Sequence, residues 1–115
     1  MLVVAMMSVT LVSAKLRTTY VEDPIRGIVY WPGNVDTYEC GEPHTIKVVI
    51  TDCDYSVHVK VKQSGTVLFD DTLSEGENTG WLDADEEETW VEIDHPDGMA
   101  PPAIYYEGKI CMWVS

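Results

Sequence analysis

Positive charge is scarce in this sequence. It contains 7 Lys and Arg residues against 20 Asp and Glu residues, which gives a formal net charge of −13 at pH 7. Such a surface repels the phosphate backbones of nucleic acid and anionic membrane surfaces, so we expect neither as a partner. We also expect no stable transmembrane span, because the longest uncharged run is shorter than the roughly 20 residues that a span needs. The same acidity can equally serve solubility alone.

Catalytic signatures are also missing. There is no G-x-S-x-G elbow, Walker loop, H-E-x-x-H motif or dinucleotide fingerprint, and the three histidines are scattered. No C-x-x-C pair occurs, which argues against a zinc site. We therefore predict a non-enzymatic protein whose one possible cofactor is calcium. The alternative is a small hydrolase that uses paired carboxylates.

The central residues 44–62 alternate between apolar and polar side chains. This period of two predicts two half-buried strands. The aspartates at 52 and 54 favour a turn between them, so we expect a hairpin. Its apolar face needs a covering layer, because an isolated hairpin is marginal in water.

Further short β-prone runs occur at residues 15–21, 27–31, 66–70, 81–82, 89–93 and 104–114. Pro24 is expected to end the first run, since proline cannot donate to a ladder, and Gly108 indicates a bulge in the last. No amphipathic helix of ordinary length, internal repeat or domain break follows residue 15. The pattern predicts an all-β fold, a single antiparallel β-sandwich over residues 21–115 with about seven short strands, immunoglobulin-like or jelly-roll-like. The expected core is Ile28, Tyr30, Ile46, Val48, Ile50, Val57, Val59, Val61, Val67, Phe69, Val91, Ile93, Ile110 and Met112.

The first 14 residues carry no charge. They are too short to span a bilayer, and residues 12–14 fit signal-peptide cleavage although no Lys or Arg precedes the apolar run. As a helix the segment resembles the N-terminal helix of a pilin. As a strand it would complete its own sheet or that of a neighbour. We interpret residues 1–20 as an assembly element, the alternative being a signal peptide. The predicted assembly residues are Leu2, Val3, Val4, Met6, Val9, Leu11, Val12 and Leu16.

Three cysteines, Cys40, Cys53 and Cys111, suggest one disulfide and one spare thiol in an exported chain. The eight extended residues predicted between Cys40 and Cys53 would span roughly 26 Å, whereas bridged Cα atoms lie within about 7 Å. We therefore predict a Cys40–Cys111 bridge. Three reduced thiols in a cytoplasmic protein are the alternative.

An acidic belt, residues 70–97, holds twelve Asp and Glu residues and no Lys or Arg. Its centre, residues 83–88, lies in a predicted turn, and hard cations such as calcium relieve repulsion between clustered carboxylates. Asp83, Asp85 and Glu87 are the candidate calcium ligands. The alternative is a solvated acidic face without metal.

Four tryptophans, Trp31, Trp81, Trp90 and Trp113, could form an exposed stacking surface for sugars, or belong to the core or an interface. From these features we predict an extracellular or cell-surface structural protein. It would be a subunit of a pilus-like filament or other homo-oligomer that self-assembles through its apolar N-terminal segment. The alternative is a secreted calcium- or carbohydrate-binding β-sandwich module with a retained signal peptide.

Overall fold

The predicted β-sandwich is confirmed in the computed structural model, which describes residues 18–33, 35–96 and 101–115. The described residues form two four-stranded antiparallel sheets and no helix. The strands are β1 (Thr19–Tyr30), β2 (Asp36–Glu39), β3 (Thr45–Cys53), β4 (Ser56–Gln63), β5 (Thr66–Ser74), β6 (Leu82–Asp83), β7 (Thr89–Asp94) and β8 (Ala103–Val114). The first sheet has the strand order β1-β8-β3-β6, and the second has the order β2-β7-β4-β5.

The central stretch forms two strands as predicted, but the predicted hairpin between them is wrong. β3 pairs with β8 in the first sheet, and β4 pairs with β5 and β7 in the second. The reason lies in the connection, where the Asp54 backbone N–H donates to the Tyr105 carbonyl at 3.1 Å. The Asp54 carboxylate in turn accepts the Tyr105 N–H at 3.3 Å. These bonds hold the connection against β8, so the chain crosses from one sheet to the other.

Most of the expected core is buried, because the alternation in β3, β4, β7 and β8 indicates the inward face correctly. In β1 the predicted inward face is wrong. Ile25 and Val29 point inward, whereas Ile28 and Tyr30, which were expected in the core, are 44% and 48% exposed. A shift of one residue moves every side chain to the other face. Val67, on the edge strand β5 beside a bulge in the β4–β5 pairing, is also exposed. Phe69 is half-buried against the core.

The predicted break at Pro24 is wrong as well. β1 continues through Pro24, which lies opposite Lys109 of β8. β1 is an edge strand, and an edge strand tolerates proline because the missing N–H belongs on the unpaired side. The strand begins at Thr19, so Tyr20 also belongs to the sandwich.

Residues 1–17, with all eight predicted assembly residues, lie outside the described residues. Within the part of the chain that is described, no helix has the length and apolar character of a membrane span.

A bulge distorts the first sheet beside Gly108. The β3–β8 register shifts between Ile50 and Asp52, opposite Gly108 and Glu107. A Cβ atom at Gly108 would lie only 2.1 Å from the Val49 carbonyl oxygen of β3. The close approach of the two backbones therefore requires glycine at this position. The predicted irregularity at Gly108 is confirmed, although the extra residue belongs to β3.

A buried polar network links the two sheets. The Tyr106 hydroxyl on β8 donates to Asp36 Oδ2 on β2 at 2.7 Å and lies 2.5 Å from the Tyr38 hydroxyl. Tyr106 is fully buried. Burial, reinforced by these hydrogen bonds, raises the pKa of Tyr106, so the hydroxyl keeps its proton. The network thus satisfies polar atoms that the closing of the sandwich removes from water.

Candidate functional site

The three cysteines are free, buried thiols, and the predicted Cys40–Cys111 bridge is not formed. Cys40 belongs to the core between the sheets. Cys111 stands between the core residues Ile110 and Met112 on β8, so its side chain faces away from the core. Its cross-strand partners are Glu22 on β1 and Lys47 on β3. The two side chains therefore point to opposite sides of the first sheet. Burial raises the pKa of Cys40 to about 12, which keeps this thiol protonated and unreactive at neutral pH.

The candidate calcium ligands are not brought together. Within the described ranges, no group of three or more His, Cys, Asp or Glu side chains is placed to hold a metal ion. Asp83 Oδ1 accepts the Asp85 backbone N–H at 3.1 Å. The loop is docked through its backbone, with Asp85 N–H donating to the His44 carbonyl and Glu86 N–H to the Pro43 carbonyl. The protein's own hydrogen bonds therefore shape this turn.

A serine, a histidine and a glutamate meet beside this loop, although they are far apart in the sequence. Ser115 Oγ lies 2.7 Å from His44 Nε2 and donates to Glu86 Oε2 at 3.1 Å. Glu86 Oε1 is 3.8 Å from His44 Nδ1, beyond hydrogen-bond distance. Because a carboxylate only accepts, the single serine proton points to Glu86 and not to His44. These three residues attach the C-terminal end of β8 to the loop that contains Glu86. In a catalytic triad the serine hydroxyl would instead donate its proton to the histidine.

The four tryptophans do not form one surface. Trp81 and Trp113 lie together on the outer face of the first sheet, whereas Trp31 follows the far end of β1. Trp90 lies on the outer face of the second sheet, in a shallow recess of about 250 Å³ that Lys62 and Glu92 also line. Only two of the predicted stacking residues are therefore neighbours.

Tyr20 joins Trp81 and Trp113, and we call these three residues the aromatic platform. The Tyr20 ring centroid lies 5.1 Å from that of Trp113 and 6.3 Å from that of Trp81. Tyr20 and Trp113 are direct cross-strand partners in β1 and β8, and Trp81 immediately precedes β6. Each of the three side chains is 40–45% exposed. Exposed aromatic rings held together in this way form a contact surface of low conformational entropy.

Polar groups border the platform. The Tyr20 hydroxyl donates to Glu22 Oε2 at 2.5 Å, and Lys109 Nζ donates to the same oxygen at 3.3 Å. Hydrogen bonds to Cys111 and Glu22 raise the pKa of Tyr20, whereas those from Tyr20 and Lys109 lower the pKa of Glu22. At neutral pH Tyr20 is therefore a phenol and Glu22 a carboxylate. A second lysine nitrogen, Lys47 Nζ, lies 4.7 Å from the centroid of the Trp81 ring.

Comparison with family models, with curated proteins and with solved structures finds no match. The function must therefore follow from the chemistry of the site.

The face that carries the platform has a charge balance unlike that of the whole chain. It bears Arg26, Lys47 and Lys109, which are three of the five Lys and Arg residues in the described ranges, together with four acidic residues, Glu22, Asp52, Asp83 and Glu107. The chain as a whole carries nearly three acidic residues for each basic one. This face thus combines aromatic area with hydrogen-bonding charge of both signs in similar numbers, which is typical of a binding surface.

Proposed function

We propose that this chain is a non-enzymatic β-sandwich binding domain that holds a carbohydrate on the outer face of its first sheet. The observation that supports the proposal is the aromatic platform, in which the half-exposed rings of Trp81 and Trp113 each lie within 6.3 Å of the Tyr20 ring. A sugar ring has an apolar C–H face that stacks on an aromatic ring and hydroxyl groups around its edge. The aromatic platform can stack on the C–H face of the sugar, and the polar border of the platform can hydrogen-bond its hydroxyl groups.

Each residue has a definite role in this proposal. The rings of Trp81 and Trp113 contact the sugar faces and remove apolar area from water. Glu22 accepts hydrogen bonds from hydroxyl groups, and Lys47 donates to them. Tyr20 is held by its bond to Glu22, so little side-chain entropy is lost on binding.

Replacing Trp81 with alanine is expected to weaken polysaccharide binding at least about tenfold, which corresponds to about 1.4 kcal/mol. The melting temperature should change little, because this side chain is 45% exposed. Binding is measured by co-sedimentation with insoluble cellulose, chitin, xylan and mannan, and by calorimetry with the polysaccharide that is retained.

The matched control is Trp90→Ala, which removes the same side chain from the opposite sheet. It should leave binding unchanged. Equal losses in the two variants, or retention of none of the polysaccharides by the parent protein, would contradict the proposal.

Self-assembly is the second candidate function. β1 is a twelve-residue edge strand, and the uncharged residues 1–14 precede it in the sequence. An edge strand offers unpaired backbone groups to another chain, and an apolar segment next to it supplies area to bury. In this proposal the chain is a subunit of an extracellular or cell-surface assembly.

Removal of residues 1–14 tests this second candidate. The full chain should give a larger particle mass by multi-angle light scattering than the truncated chain, which should be a monomer. The truncation should leave the melting temperature within a few degrees, because the core of the described residues begins at Ile25. If the two proteins have the same oligomeric state, self-assembly through this segment is wrong.

A further inference from the structure

A second concave site lies on the same face as the aromatic platform. It is a recess of about 310 Å³, at the lower end of the size range of small-molecule sites. It lies beside the bulge of β3, where the β3–β8 register shifts opposite Gly108 and Glu107. The recess is lined by Pro24, Ile25, Arg26, Thr51, Glu107 and Gly108.

The recess pairs a hydrogen-bond donor with an acceptor. Arg26 and Glu107 are direct cross-strand partners in β1 and β8, so their side chains leave the sheet side by side. Tyr105 precedes Glu107 by two residues on β8, so the two side chains are on the same face, and the Glu107 carboxylate raises the pKa of the Tyr105 hydroxyl. A guanidinium next to a carboxylate offers several donors and acceptors to the adjacent hydroxyl groups of a sugar.

The recess and the platform lie along the same two strands. Tyr20 and Arg26 are six residues apart on β1, an even number, so both side chains are on the outer face. At the rise of an extended strand this separation is about 20 Å. A ligand that fills both sites must therefore be several sugar residues long.

We infer that the recess is a second subsite of one binding track and that the ligand is a neutral, linear oligosaccharide running along β1 and β8. This inference rests on the proposed carbohydrate-binding function. The ligand is neutral because two carboxylates, Glu107 and its β3 partner Asp52, accompany the single guanidinium of Arg26 at the recess and would repel a sugar carboxylate or sulfate. Linearity follows from the straight path between the sites.

The test is calorimetry with cello-, xylo- and manno-oligosaccharides of two to six residues. Affinity should rise with length until both sites are filled. Arg26→Gln should weaken binding of the hexasaccharide about tenfold and leave the disaccharide unaffected, whereas Trp81→Ala should weaken both. Lys60→Gln, on the outer face of the second sheet, is the matched control and should change neither. Glu107→Gln is an independent second variant if Arg26→Gln lowers the melting temperature.

The outcomes separate the two proposals. Binding whose affinity is the same from disaccharide to hexasaccharide, or which Arg26→Gln weakens equally at both lengths, overturns the inference and leaves the proposed function standing. Stronger binding of polygalacturonate than of neutral chains also overturns it. Binding of no oligosaccharide or polysaccharide overturns both.

Discussion

Replacing Gly108 with alanine is expected to lower the free energy of unfolding by about 3 kcal/mol, and the melting temperature by roughly 10–20 °C. The added Cβ would lie 2.1 Å from the Val49 carbonyl oxygen and 3.3 Å from the Ile50 Cα. Both atoms belong to the backbone of β3, so no side-chain rotation relieves the clash. The two strands would have to separate at the centre of the first sheet, with loss of neighbouring hydrogen bonds.

The change is measured by urea and thermal unfolding followed by circular dichroism. Gly65→Ala is the matched control, because a Cβ at Gly65 meets nothing within 4 Å. This variant should be as stable as the parent chain or slightly more so. Similar stability of the two alanine variants would show that the close approach of β8 to β3 is wrong.

Removing the Tyr106 hydroxyl, by replacement with phenylalanine, should cost about 2 kcal/mol. The aromatic ring still fills its space in the core, so the loss comes from hydrogen bonding. Asp36 Oδ2 loses the donor that now lies 2.7 Å away, and the Tyr38 hydroxyl loses the oxygen 2.5 Å from it. Polar atoms left without these partners between the sheets account for the penalty.

Tyr55→Phe serves as the control, because Tyr55 is exposed in the connection between the sheets. Its effect should stay below about 0.5 kcal/mol. A double-mutant cycle adds a sharper readout, since Tyr38→Phe and Tyr106→Phe together should cost less than the sum of the single changes. Strict additivity in that cycle would rule out the direct bond between the two hydroxyl groups.

The fold class could be predicted from the sequence because alternation is a local signal. In β3 and β4 the same apolar residues that indicate strands also form the core. The pairing of those strands could not be predicted, since it depends on Asp54 binding Tyr105, which is 51 positions away. In β1 the run from Gly27 to Tyr30 is apolar on both faces, so its residue types alone do not set the inward face.

The candidate site was less accessible to sequence reasoning than the fold. Its aromatic residue types were visible, but Tyr20 and Trp113 are 93 positions apart, and only the β1–β8 register makes them neighbours. The recess is lined by residues of three strands, β1, β3 and β8, which only the sheet register brings together. In the acidic belt the sequence signal was strong but the site is not formed. The clustered carboxylates predicted a calcium site, and the described residues do not assemble one.

The position of β8 has a consequence for biosynthesis. The first sheet has its last-made strand in the interior, where β1 and β3 each take their main partner from it. A nascent chain that has exposed only the first hundred residues leaves both strands with open backbone groups and bare apolar faces. The domain must therefore wait for β8 to leave the ribosome before it folds, and until then it depends on its negative charge, or on a chaperone, to stay apart from other chains.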